Sequence, residues 1–99
     1  MTIEQTTDDG SITLALYGEL TAMTAEQLGS AIKKATVETD HLILDFTNLE
    51  YVASAGLRVL LDTKKLLDAK SGKFIVRNVS EAIMRIFEIT GFSDILDFE

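Results

Sequence analysis

The chain has 99 residues, 46% of them apolar, a net charge of −7 and no cysteine. That length makes one domain with a modest core. The lack of cysteine leaves neither a disulfide framework nor thiolate chemistry, and the acidity argues against nucleic acid and membrane surfaces as partners. Met1–Gly10 is polar and acidic, so no secretory signal is expected. No run approaches the roughly 18 apolar residues of a membrane span, and a cytoplasmic setting is expected.

Ile3–Thr7 reads as a first strand, Asp8-Asp9-Gly10 as a tight turn, and Ser11–Tyr17 as a half-buried strand with Ile12, Leu14 and Leu16 on one face. Thr24 and Gln27 have capping-box spacing, and Met23 and Leu28 have hydrophobic-staple spacing, so a helix is expected to begin at Thr24. Ala25, Leu28, Ala31, Ile32 and Ala35 form its apolar stripe. The nearly unbroken apolar run Leu42–Phe46 suits a strand buried on both faces.

Beyond Thr47–Glu50 and Tyr51-Val52-Ala53, a long helix is expected from Ser54 to about Lys70, ended by Ser71-Gly72. On it Asp62 can pair with Lys65, and Lys64 with Asp68. Lys73–Arg77 is another strand. Ser80 caps a helix over Glu81–Thr90 whose apolar face is Ile83, Met84, Ile86, Phe87 and Ile89, and Gly91 stops it. Ile95–Phe98 forms a short last strand. The order β-β-α-β-α-β-α-β implies a mixed, mainly parallel sheet with helices packed on it.

The only histidine, His41, has no second histidine or cysteine to share a zinc ion with. No phosphate loop or paired-histidine helix is present. No cofactor, metal or small-molecule substrate is therefore expected, and the chain is not expected to be an enzyme. The segment Tyr51–Leu61 joins a buried strand to a long helix, the place where α/β sheets carry functional loops. Ser54 falls at the helix start, with small Ala55 and Gly56 after it. One reading makes Ser54 an N-cap, worth about 1 kcal/mol. The other makes it a phosphorylation switch, since a helix start accommodates a phosphate and the added charge would repel a docked surface. Catalysis by Ser54 lacks a base within reach, because His41 precedes the strand that leads toward it.

Three elements carry a family resemblance. They are Tyr17-Gly18-Glu19-Leu20, then Leu44-Asp45-Phe46-Thr47-Asn48-Leu49, then Val52-Ala53-Ser54-Ala55-Gly56-Leu57. In that order and spacing the chain resembles the STAS domain of bacterial anti-sigma factor antagonists, over nearly its whole length. The resemblance implies a single STAS domain over residues 1–99, with a sheet of four to five strands, an N-terminal hairpin and helices packed on it.

It also implies a signalling cycle. An anti-sigma factor that is also a serine kinase binds the unphosphorylated antagonist and frees a sigma factor. Phosphorylation of the antagonist ends the interaction, and a PP2C-type phosphatase resets it. Carried over, Ser54 is the phosphorylation site, and Ala55 leaves it as the only acceptor in its element. Glu19 lies in the loop flanking the serine. Glu19, Thr21, Ala53, Ser54, Ala55, Gly56 and Arg58 form the expected partner-binding surface. Ala53 and Thr21 stand where such antagonists often carry aspartates, and Glu99 stands near where many add a final helix. A non-phosphorylated STAS scaffold, in a transporter, lipid-trafficking or stress-sensing complex, is the alternative.

Overall fold

A computed structural model describes residues 1–99. Its elements are β1 (Thr2–Asp8), β2 (Ser11–Leu20), α1 (Ala22–Glu38), β3 (His41–Val52), α2 (Ser54–Ala69), β4 (Lys73–Arg77), α3 (Glu81–Thr90), a single 3-10 turn (Phe92–Asp94) and β5 (Asp97–Phe98). The sheet has five strands in the order β1-β2-β3-β4-β5. β1 and β2 are antiparallel, and β2 through β5 are parallel. The expected mixed sheet with an N-terminal hairpin is what the chain forms. Asp9 (φ 49°) and Gly10 (φ 88°) both take the left-handed conformation that a two-residue hairpin turn demands.

From β2 onward every crossover steps the same way across the sheet. Right-handed connections then place all three helices on one face. Burial agrees. Ile12, Leu14 and Leu16 of β2, Leu42, Leu44 and Phe46 of β3, and Phe74 and Val76 of β4 join one core with Leu28 and Ile32 of α1, Leu60 and Leu67 of α2, and Ile83 and Phe87 of α3. Phe87 anchors the β5 end, its ring centroid 6.3 Å from that of Phe46 and 5.6 Å from that of Phe98. The alternate residues Thr13, Ala15, Asp45, Ile75 and Arg77 face the side without helices and are only half-buried.

β3 is therefore not sandwiched between two helix layers, as its apolar run suggested. Ile43 is buried but lies outside the core. Its register neighbours Thr13 and Ile75 screen it on the open face. An apolar run reports burial, and a central strand between two others reaches it without a second layer of helices.

Several boundaries shift. β3 continues through Thr47–Val52, because β2 also runs on to Leu20 and the two keep pairing across bulges near Tyr17 and Gly18. β5 is confined to Asp97–Phe98, since the N–H groups of Ile95 and Leu96 both bond back to the Phe92 carbonyl at 3.0 Å and turn the chain there. α1 begins at Ala22, and Thr21 rather than Thr24 is its N-cap. The Thr21 hydroxyl accepts the Met23 N–H at 3.2 Å, and the Thr24 hydroxyl accepts the Thr21 N–H at 2.8 Å. Met23 is 91% exposed, so it staples nothing. Ile89 is likewise exposed, while Ile83 and Phe87 carry the buried face of α3. Asp62 pairs backward with Arg58 and not with Lys65, whereas the Lys64–Asp68 pair forms at 3.1 Å. Ser80 caps α3 by accepting the Ile83 N–H at 3.2 Å, and Gly91 ends it, both as expected.

Candidate functional site

β2 and β3 end side by side, with Leu20 opposite Val52. The chain leaves β2 through Thr21 into α1, and leaves β3 through Ala53 into α2. The Ala53 N–H donates to the Leu20 carbonyl at 2.8 Å, which ties the two exits together. Gly56 then lets the first turn of α2 approach β2. A Cβ at that position would lie 2.5 Å from Leu20 Cγ and 3.3 Å from Val52 Cγ1. This packing fixes the start of α2, and with it Ser54, at the C-terminal edge of the parallel strands, where α/β sheets present functional groups.

Ser54 is the first helical residue and not the cap. The N-cap is Ala53, which has no side chain that could bond to the helix start. Its carbonyl accepts the N–H groups of Gly56 and Leu57 at 2.9 and 3.1 Å. The N–H groups of Ser54 and Ala55 have no acceptor inside the helix. Ser54 is exposed, and its hydroxyl makes no hydrogen bond within the protein. The capping reading of Ser54 is thereby overturned. A one-residue shift separates the two cases, because a hydroxyl at the first helical position points away from the N–H groups that a cap would satisfy. The residue is left with an unengaged nucleophilic oxygen beside unpaired donors and the positive end of the helix dipole.

Of the other expected site residues, Glu19 is in β2 itself, opposite Tyr51, and not in a loop. Its side chain is exposed, while its carbonyl accepts the Thr24 hydroxyl at 2.8 Å. The Thr21 hydroxyl is taken up by capping α1. Ala55 is half-buried against the core, and Gly56 is buried. Glu19, Thr21, Ala53, Ser54, Ala55 and Gly56 thus share one edge, and Arg58 lies a turn further along α2. There it is exposed, with its Nε 3.4 Å from Asp62 Oδ1.

Two residues at the same edge were missed. Met23 is almost wholly exposed in the first turn of α1, and Tyr51 is 48% exposed at the end of β3. The Thr21–Thr24 spacing was the available signal, since a cap at Thr21 puts Met23 in the first turn.

His41 opens β3, at the end of the strand away from Ser54. No group of three or more His, Cys, Asp or Glu side chains is placed to hold a metal ion. A groove of about 360 Å³ runs between α1 and α2, with Gly29, Val59, Asp62 and Thr63 among its walls, and none of the expected site residues lines it.

The family model described as the STAS domain matches residues 2–99. The chain belongs to the STAS domain family. The anti-sigma-B factor antagonist of Listeria monocytogenes is 32% identical to this STAS domain over 93 residues, covering 93% of the chain and 82% of the relative. A crystal structure of an anti-sigma factor antagonist from Mycobacterium paratuberculosis superposes with a TM-score of 0.87 at 26% identity, over 98% of this chain and 83% of that one. The Bacillus cell fate determinant SpoIIAA in its phosphorylated form shares the fold, with a TM-score of 0.77 at 22% identity over 99% and 91% of the two chains. No helix of this STAS domain is long and apolar enough to cross a membrane.

Proposed function

We propose that this STAS domain is a cytoplasmic anti-sigma factor antagonist that acts by binding, and that phosphorylation of Ser54 switches it off. The observation that carries the reading is the unused hydroxyl of Ser54 at the first position of α2, on an edge shared with exposed Glu19, Met23 and Tyr51. A docking surface needs exposed apolar side chains with polar ones around them, and this edge has both. The similarity to the Listeria antagonist points the same way.

The partner is an anti-sigma factor that is also a serine kinase. It docks on the edge formed by Glu19, Thr21, Ala53, Ser54, Ala55, Gly56 and Arg58, and its sigma factor is released. ATP serves the kinase and not this chain. Phosphate on Ser54 brings close to two negative charges to a domain already at −7, and the partner is repelled with little change of fold. A PP2C-type phosphatase restores the free hydroxyl.

Incubation with the serine-kinase anti-sigma factors of the same genome, followed by mass spectrometry, tests this. Phosphate is expected on Ser54 and nowhere else. Ser54→Ala is expected to bind the kinase and stay unmodified, and Ser54→Asp to bind more weakly. If no such kinase either binds the domain or modifies Ser54, the proposal fails.

One observation favours a second reading, a non-phosphorylated scaffold within a larger complex. Thr21 and Ala53, which replace the acids often found there, are both committed to helix starts. Binding to a partner complex that is unchanged by phosphoserine at position 54 would select this alternative.

A further inference from the structure

Ser54 and Arg58 are four residues apart in α2, which sets their side chains one turn apart on one face. Helical Cα–Cβ bonds tilt toward the N-terminus, so Arg58 can swing back from Asp62 to reach Ser54. At present its guanidinium is held only by a single contact to Asp62, 3.4 Å from Nε to Oδ1, with the side chains 76% and 61% exposed. This contact runs in the weaker direction. An acid four residues before a base stabilises a helix more than the reverse order, because the reverse order opposes the helix dipole.

Arg58 is also the basic residue of α2 nearest to Ser54 in the chain. The next basic residue of α2, Lys64, is about 15 Å from Ser54 along the axis, and Asp68 and Asp97 hold it at 3.1 and 3.6 Å. Glu19 at the end of β2, Glu50 near the end of β3, Glu26 in α1 and Asp62 in α2 are acids, and the Met1 amino terminus lies beside Gly18 of β2.

We propose that phosphate on Ser54 takes Arg58 from Asp62, closing a guanidinium–phosphate clamp over the first turn of α2. This rests on Ser54 being the modified residue. The phosphate supplies more charge than one carboxylate, accepts from the guanidinium through two oxygens at once, and stands on the favoured, N-terminal side. Phosphorylation then changes two things that a docking partner meets: the charge at Ser54 and the position of Arg58. Arg58 is a positioning residue in this scheme, since it orients and partly neutralises the phosphate.

Phosphoserine encoded directly at position 54 tests the clamp without any kinase. In ³¹P NMR titrations the second pKa of the phosphate is expected to be lower in the wild-type domain than in Arg58→Gln by about 0.3–0.7 units. Asp62→Asn, which frees Arg58, is expected to keep the low value. The Arg58 Nε–Hε resonance is expected to move on phosphorylation. Equal phosphate pKa values in the wild type and Arg58→Gln would overturn the clamp and leave the phosphoswitch intact. Failure of every kinase to modify Ser54 would overturn the phosphoswitch alone.

Discussion

Gly56 in α2 packs directly on Leu20 at the end of β2, so closely that a methyl group at position 56 would fall within 2.8 Å of two Leu20 carbons. Leu20 is fully buried and has no free space to yield. Gly56→Ala is therefore expected to lose about 1–2 kcal/mol in urea unfolding, the overpacking penalty less the helix propensity that alanine returns. Gly29 in α1 is the control, because nothing lies within 4 Å of its added Cβ. Gly29→Ala is expected to gain roughly 0.5–1 kcal/mol. A stabilised Gly56→Ala would mean that α2 is not held against β2 as described.

Two serines at helix starts separate a free hydroxyl from a structural one. Ser80 accepts the Ile83 N–H, whereas Ser54 makes no hydrogen bond within the protein. Ser80→Ala is expected to lose about 1 kcal/mol. Ser54→Ala is expected to stay within about 0.5 kcal/mol of the wild type, as an exposed substitution away from any cap. Thermal or urea unfolding of the pair measures this. Equal losses would return Ser54 to the role of a cap.

Much of this arrangement was legible in the sequence, and the misreadings have physical causes. Strand alternation in Ile12, Leu14 and Leu16 and the Ser80 and Gly91 punctuation of α3 located their elements, because each signal is local. The position of Ser54 relative to the cap was not local in this sense. It depends on β3 running on to Val52, which follows from pairing with β2 across two bulges, only one of which is marked locally, by Gly18 at φ 108°. Thr24 misled because two threonines three residues apart both take part in one capping box, and pattern alone does not say which is outermost. Glu19 stands in β2 and not in the loop that the resemblance implies, because β2 runs on to Leu20. Met23 is legible through the Thr21–Thr24 spacing, whereas Tyr51, exposed at the end of β3, is placed by the pairing of β3 with β2, which involves residues far away in the chain.

On the opposite side of β3 from the core, Asp45 gathers a polar network. Its Oδ1 accepts the Thr47 N–H at 3.0 Å, the Thr47 hydroxyl at 2.6 Å and the Asn78 side-chain amide at 3.2 Å. Partial burial pushes its pKa upward, but the hydrogen bonds from Thr47 and Asn78, with the charge of Arg77, outweigh this and hold it below the ordinary aspartate value. A carboxyl depressed in the folded state stabilises the fold at every pH above its unfolded pKa of about 3.9. That contribution is lost as the pH falls through the lower, folded value. Asp45→Asn, which removes the charge and keeps the shape, is therefore expected to be less stable than the wild type near neutral pH. The difference is expected to narrow below about pH 4. Urea midpoints of the two proteins between neutral and strongly acidic pH measure it. A gap that stays constant across that range would mean that the Asp45 charge contributes nothing and that shape alone matters at this position.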